Sequence, residues 1–159
     1  VCENNLYCTH LSIAATLADP NIYDKAEAFA LPGIRIDGNN VLEVYEAAKK
    51  AVADARTGKG PTLIEAMTYR WLGHVGPYDD LDKGLRSKKE LNHWMDRDPI
   101  KIFERFLLEH NAISEREKNR INGTVSGEVD EALRFARESP YPDENDLLKH
   151  VFKVGQSRN

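Results

Sequence analysis

The chain has 159 residues, enough for one ordinary domain with a real core. Apolar residues make up 41% and charged residues 30%, a globular balance, with a formal net charge of −4. That charge, with basic residues scattered in runs no longer than two, argues against a nucleic-acid surface. No apolar stretch reaches the roughly 20 residues that a membrane-spanning helix needs.

In chain order, Val1 to Glu3 reads as the tail of a buried strand. Asn21 is placed to cap a short helix carrying Ile22, Ala26, Phe29 and Ala30 on one face. Pro32-Gly33 breaks it, and Gly33 to Asp37 reads as a second strand. Asn40 then begins a helix with Glu43 at the capping-box position. Its expected apolar stripe is Val41, Val44, Ala48, Val52 and Ala55, with Glu46, Lys49, Lys50 and Asp54 facing water. Gly58 and Gly60-Pro61 stop the helix, and Thr62 to Tyr69 forms a third, β-rich run. Strand, helix and strand with short joints predict a crossover in a parallel sheet.

Trp71 to Leu85 has no usable period and reads as a functional or mobile loop. Helices follow. Ser87 and Glu90 form a capping box before Leu91 and Trp94. Asp98-Pro99 opens a helix with Ile100, Ile102, Phe103, Phe106 and Leu107. Ser114 opens a long polar helix through Ile121, Val125, Val129, Leu133 and Phe135, with Gly123 and Gly127 weakening its middle. Ser139-Pro140 ends it, and Asp143 starts a last short helix with Leu147, Leu148 and Val151. The expected fold class is α/β: a parallel sheet flanked by helices over residues 1–83, then a helical C-terminal region over residues 84–159.

In open parallel sheets, ligands collect outside the carboxyl ends of the strands. Here those ends are Asn4 to Tyr7, Asp37 to Asn40, and Arg70 to His74. The Asn5 side-chain oxygen and the Tyr7 carbonyl are hard ligands that make half a site for magnesium or calcium. Taken alone, the same double amide is far more often a turn signal after a strand than a ligand pair. Arg70 and His74, within five residues of each other, suit a phosphate or carboxylate group, or His74 is a loop histidine bonded to backbone. His10, His93, His110 and His150 show no partner spacing. Asp37 to Asn40 reads as a turn and helix cap, and Asp79 to Gly84 fails the calcium-loop pattern because its glycine falls too early. Cys2 and Cys8 make neither a disulfide framework nor a zinc site and read as reduced thiols.

The stretches "VCENNLY", "AFALPGIRIDGNNVLEVYEAAKKAVADARTGKGPTLIEAMTYRWLGH" and "LRSKKELNHWMDRDPI", in that order and spacing, resemble the alpha subunit of thiamine-diphosphate-dependent 2-oxo acid dehydrogenases. These are the first components of the pyruvate, branched-chain 2-oxo acid and acetoin dehydrogenase complexes. The resemblance implies a partial thiamine-diphosphate-binding fold and oxidative decarboxylation of a 2-oxo acid, with acyl transfer to lipoamide. Thiamine diphosphate and magnesium are the implied cofactors. The implied partners are a beta subunit in an alpha2–beta2 assembly and a lipoyl-bearing acyltransferase, and the activating glutamate belongs to the beta subunit. By the same resemblance, Asn5 supplies a side-chain oxygen and Tyr7 a carbonyl to the magnesium. His74 approaches the cofactor diphosphate as the candidate catalytic residue, and Arg70 and Arg86 help hold its loop.

The family's cofactor motif opens with Gly-Asp-Gly and closes with Asn-Asn, and this sequence carries the closing half. The chain is therefore expected to be the C-terminal half of a longer alpha subunit, inactive by itself. A non-catalytic assembly or regulatory module that keeps the fold is the alternative, and a transketolase-like enzyme a more distant one. Val75 and Gly84 stand where regulated relatives carry phosphorylatable serines, which points to a bacterial or archaeal cytoplasm rather than a mitochondrial matrix. Cys8 stands where a small residue is usual.

Overall fold

A computed structural model describes residues 1–81, 84–147, 149 and 151. The chain divides into two compact units, Val1–Ala112 and Ile113–Asn159. The division expected at about Lys83 lies outside the described residues.

The first unit is built on three parallel strands, β1 (Cys2–Asn4), β2 (Gly33–Asp37) and β3 (Leu63–Met67), in the order β1-β3-β2. The expected α/β class is the one observed. Asn4 and Asp37 both pair with Met67, so all three strands end on one rim. Among the described residues of this unit, four α-helices surround the sheet: α1 (Ile13–Thr16), α2 (Val41–Arg56), α3 (Lys88–Met95) and α4 (Pro99–Glu109). Trp71 to Asp80, Gly84 and Leu85 form no helix or strand, as their missing period predicts, and Leu81 alone of the described residues in this stretch is in a 3₁₀ conformation.

Three helix starts follow the residues that the sequence marks. Asn40, Ser87 and Asp98 each accept a backbone N–H from the first turn of α2, α3 and α4, and Pro99 sits where its missing N–H costs nothing. Gly58, at φ 82°, takes the left-handed turn that ends α2, a conformation costly for any residue with a Cβ. The capping boxes are only half made. The Glu43 carboxylate accepts from the Asp37 N–H at 3.2 Å, and the Glu90 carboxylate leaves its helix altogether.

Three expectations need correction. Asn21 caps nothing: Ile22 precedes a 3₁₀ helix, Tyr23–Phe29, and the Asn21 amide oxygen instead accepts from the Arg35 guanidinium at 2.7 Å, a charge-assisted bond that outbids a neutral cap. Phe29, expected on the apolar face, is 76% exposed, and Ala26 alone of that helix is buried. On α2 the line against the sheet is Val44, Ala47 and Ala51, which shares only Val44 with the expected stripe. Apolar residues cover much of this helix, so period alone leaves two candidate lines, and the small alanines allow the closer approach. Asp54, on the polar side of the helix, accepts Lys50 and Lys59 at 2.6 and 2.8 Å, which hold its carboxyl down at about 2.

Alternation along β3 separates two environments. Ile64 and Ala66 pack with Ile36, beneath Ile34, Val44, Ala47 and Ala51. Glu65, on the opposite face, is 0% exposed. A second apolar cluster of Tyr69, Leu91 and Trp94 lies beyond the strand end, with Leu6, Tyr7 and Leu81 against it. The 3₁₀ helix lies so close to β2 that a Cβ at Gly33 would stand 2.0 Å from the Tyr23 carbonyl oxygen.

In the second unit, α5 (Glu115–Glu138) starts at Ser114, whose hydroxyl accepts the Glu117 N–H, and runs unbroken through Gly123 and Gly127. Its expected stripe, Ile121, Val125, Val129 and Leu133, is exposed. Asp143 caps a short 3₁₀ helix, Glu144–Asp146. Leu148 and His150, named in the sequence reading, lie outside the described residues.

Candidate functional site at the carboxyl rim of the sheet

Hydrogen bonds tie the three loops leaving the rim to one another. Thr68 N–H donates to the Asn4 carbonyl at 3.0 Å, Gly38 N–H to the Met67 carbonyl at 2.8 Å, and the Thr68 hydroxyl to the Asn39 amide oxygen at 2.9 Å. The rim is thus one surface on which the expected site residues can be located.

Asn4, only 5% exposed, anchors the first loop. Its amide donates to Glu65 Oε1 at 2.6 Å, and its oxygen accepts the Leu6 N–H at 3.0 Å. The Asn5 oxygen accepts the Tyr7 N–H at 3.1 Å, while Leu6 is held at φ 71°. The double amide is therefore a turn device, as one of the two readings has it. Among the described residues it leaves the second lone pair of the Asn5 oxygen uncommitted. Past the turn, Cys8 N–H donates to the Leu11 carbonyl and Ile13 N–H to the Leu6 carbonyl, both at 2.8 Å, and the Tyr7 carbonyl accepts no hydrogen bond among the described residues.

Glu65 fixes Asn4 from below. Besides Asn4, it accepts the Tyr23 N–H at 3.0 Å and Arg35 Nε at 3.1 Å. Burial pushes its carboxyl up, but these donors outweigh burial and hold it below the ordinary value of 4.5.

Glu90 fixes Tyr7 from α3. Its Oε2 accepts the Tyr7 hydroxyl at 2.8 Å and the Tyr69 hydroxyl at 3.2 Å. Burial, then the hydrogen bond to Glu90, pushes the Tyr7 phenol up to about 12. Tyr69 shifts upward as well, first from burial and then from the Glu90 charge. The Tyr69 ring stacks on Trp94 at 5.7 Å, meets the Tyr7 ring edge-on at 6.0 Å, and lies under the Arg86 guanidinium at 5.3 Å.

The two arginines tie down the loop after β3. Arg70 Nη2 donates to the Cys8 carbonyl at 3.3 Å, bridging the loops after β1 and β3. Arg86, 5% exposed, donates to the carbonyls of Arg70 and Asp79. The Nε atoms of Arg70 and Arg86 are buried without an acceptor among the described residues.

The structure brings Asn5 and Tyr7 together on a cavity of about 320 Å³, with Cys2, Ile13, Leu17 and Ile22 on its walls. Arg70 lines a different cleft of about 480 Å³, with Asn39, Tyr69, Gly73 and Pro99. His74 lines neither; it is exposed, and its N–H donates to the buried Asp80 carboxylate at 3.3 Å. Cys2 and Cys8 are not joined in a disulfide. Among the described residues, no three His, Cys, Asp or Glu side chains gather as a metal centre, and no helix is long and apolar enough to cross a membrane. Glu65 and Glu90 are the two site-shaping residues that sequence reasoning missed. The only signal for Glu90 was its capping-box position, which points to the wrong partner.

A parallel sheet with polar loops converging at its carboxyl rim is the ligand-binding pattern of α/β enzymes. The chain belongs to the dehydrogenase E1 component family, whose model matches residues 1–145. It is 42% identical over 152 residues to pyruvate dehydrogenase E1 component subunit alpha-3, chloroplastic, of Oryza sativa subsp. japonica, covering 96% of this chain and 35% of that protein. It is 36% identical to the alpha subunit of acetoin:2,6-dichlorophenolindophenol oxidoreductase of Bacillus subtilis, and 34% identical to the 2-oxoisovalerate dehydrogenase subunit alpha of the same bacterium. These matches cover 96% of this chain and 44% and 46% of those proteins. The chain thus spans less than half the length of the curated relatives it matches.

Proposed function

We propose that this chain forms part of the alpha subunit of a thiamine-diphosphate- and magnesium-dependent 2-oxo acid dehydrogenase, and that it holds one side of the metal–diphosphate site. The observation that carries this reading is the Asn4–Tyr7 turn. It stands at the carboxyl rim of a parallel sheet and, among the described residues, leaves an amide oxygen lone pair and a main-chain carbonyl uncommitted two residues apart. Both are neutral oxygen donors of the kind magnesium takes, so the residues present fit the ion. They supply no charge, and no acidic cluster stands in for one among the described residues. A carboxylate and the diphosphate oxygens would complete the coordination.

Thiamine diphosphate, when bound, supplies the electron sink that decarboxylation of a 2-oxo acid requires. The chain's own residues bind and orient. Asn5 and Tyr7 hold the cation, Arg70 ties the loop after β3 to the loop after β1, and exposed His74 offers a ring N–H to an anionic group arriving from solvent. In this reading the group that activates the cofactor comes from a beta subunit, and the acyl product leaves on the lipoyl group of an acyltransferase component.

The test is Asn5→Ala in the alpha subunit assembled with its beta partner, with thiamine diphosphate binding followed by calorimetry across a magnesium series. The magnesium concentration for half-maximal binding should rise at least about tenfold, equivalent to about 1.4 kcal/mol of lost ligation. An unchanged magnesium dependence overturns the assignment.

A further inference from the structure

We infer that Glu90 is a positioning residue for the metal half-site, acting through the phenol of Tyr7 to set where the Tyr7 carbonyl stands; the inference rests on the reading of Asn5 and Tyr7 given above. A glutamate three residues into a helix ordinarily turns back to the cap residue's own N–H. Glu90 does not. Ser87 caps its N–H at 3.1 Å, and its carboxylate reaches across to Tyr7, 83 residues away in sequence. The same oxygen takes the Tyr69 hydroxyl, so one carboxylate joins the loop after β1 to the end of β3.

Tyr7 is constrained from three directions. Its N–H is spent on Asn5, its chain neighbours are locked by the bonds from Cys8 to Leu11 and from Ile13 to Leu6, and its ring tip is held by Glu90. The carbonyl is the polar backbone group of Tyr7 that none of these constraints uses. Two rigid supports sit behind the tie: Tyr69 is stacked on Trp94, and Glu90 belongs to α3, whose Leu91 and Trp94 are buried. A ligand held this way needs little reordering when the cation arrives, which is how residues behind a metal ligand raise affinity.

The experiment compares Tyr7→Phe, Glu90→Ala and the double variant in the assembled alpha–beta protein. Magnesium is titrated at fixed thiamine diphosphate with binding read by calorimetry, and thermal unfolding is recorded without metal or cofactor. Glu90→Ala leaves the Ser87 cap in place, because that bond is made to backbone, and Tyr7→Phe keeps the ring and the carbonyl. Each single variant should raise the magnesium requirement about threefold to tenfold, below the 10- to 100-fold loss typical of direct outer-shell partners because the tie runs through a side chain. The double variant should go no further than the worse single one, since both remove the same bond. Variants that lower the unfolding temperature but leave the magnesium requirement unchanged overturn the inference, leaving Glu90 a purely structural residue. Asn5→Ala separates the levels. If it shifts the requirement and the other two do not, this inference alone fails; if it too has no effect, the half-site itself is wrong and the inference falls with it.

Discussion

Glu65 shows how one side chain can carry a rim. It receives Asn4, the Tyr23 N–H and Arg35, and so joins β1, β3, β2 and the 3₁₀ helix at a fully buried point. Glu65→Ala would leave the Asn4 amide and the Tyr23 N–H unpaired, while Arg35, partly exposed, can turn to water. Each buried donor so stranded costs about 1–3 kcal/mol, so a loss of at least about 2 kcal/mol is expected from urea unfolding at neutral pH. Because the folded-state carboxyl sits below 4.5, its contribution is fully present above that value and fades as pH falls through the depressed one. The gap between wild type and Glu65→Ala should therefore narrow on acidification. A gap that stays constant into acid would show that the carboxylate charge plays no part.

Among the elements, α5 carries an apparent contradiction. Gly123 and Gly127 lie inside a 24-residue helix, yet each would place a Cβ in open space, and neither has positive φ. Nothing in their surroundings requires glycine, and each costs the helix about 1 kcal/mol relative to alanine. Gly123→Ala and Gly127→Ala should each slow amide exchange across α5 by about fivefold in the isolated chain, the factor that corresponds to about 1 kcal/mol. Faster exchange in either variant would contradict the open surroundings. The helix α2 teaches a related lesson. Its cap at Asn40 and its stop at Gly58 were readable from local chemistry, but the line that meets the sheet was not, because Val41, Val44, Ala47, Ala48, Ala51 and Val52 crowd more than one face. Val41, Tyr45 and Val52 are left exposed as a result.

For the whole molecule, exposed apolar side chains are numerous in both units: Val41, Tyr45 and Val52 in the first, Ile121, Val125, Val129 and Leu133 in the second. Where such side chains join in one contiguous patch, that patch ordinarily meets other protein. The proposed site is incomplete in the same sense, holding neutral oxygen ligands but no gathered acidic cluster among the described residues. The chain by itself should accordingly show no turnover of a 2-oxo acid and should bind thiamine diphosphate more weakly than micromolar in the presence of magnesium. Micromolar affinity measured by calorimetry on the isolated chain would contradict this. It would mean that the described turn and loops suffice without further ligands.

Local chemistry alone determined the three strands, the caps at Asn40, Ser87, Asp98 and Ser114, the irregular segment after β3, and the family resemblance carried by the ordered motifs. Each of these depends on residues adjacent in the chain, where propensity, capping and turn rules act directly. The place of Asn5 and Tyr7 at the rim followed too, once the strands were taken as parallel. Tertiary structure decided what distance in sequence conceals: that Asn21 serves Arg35, that Glu65 is buried beneath Asn4, and that Glu90 leaves its own helix to grip Tyr7 and Tyr69. A carboxylate near a cap reads locally as a cap. Which donor it finally takes depends on the groups that folding brings within about 3 Å, and no spacing rule encodes that.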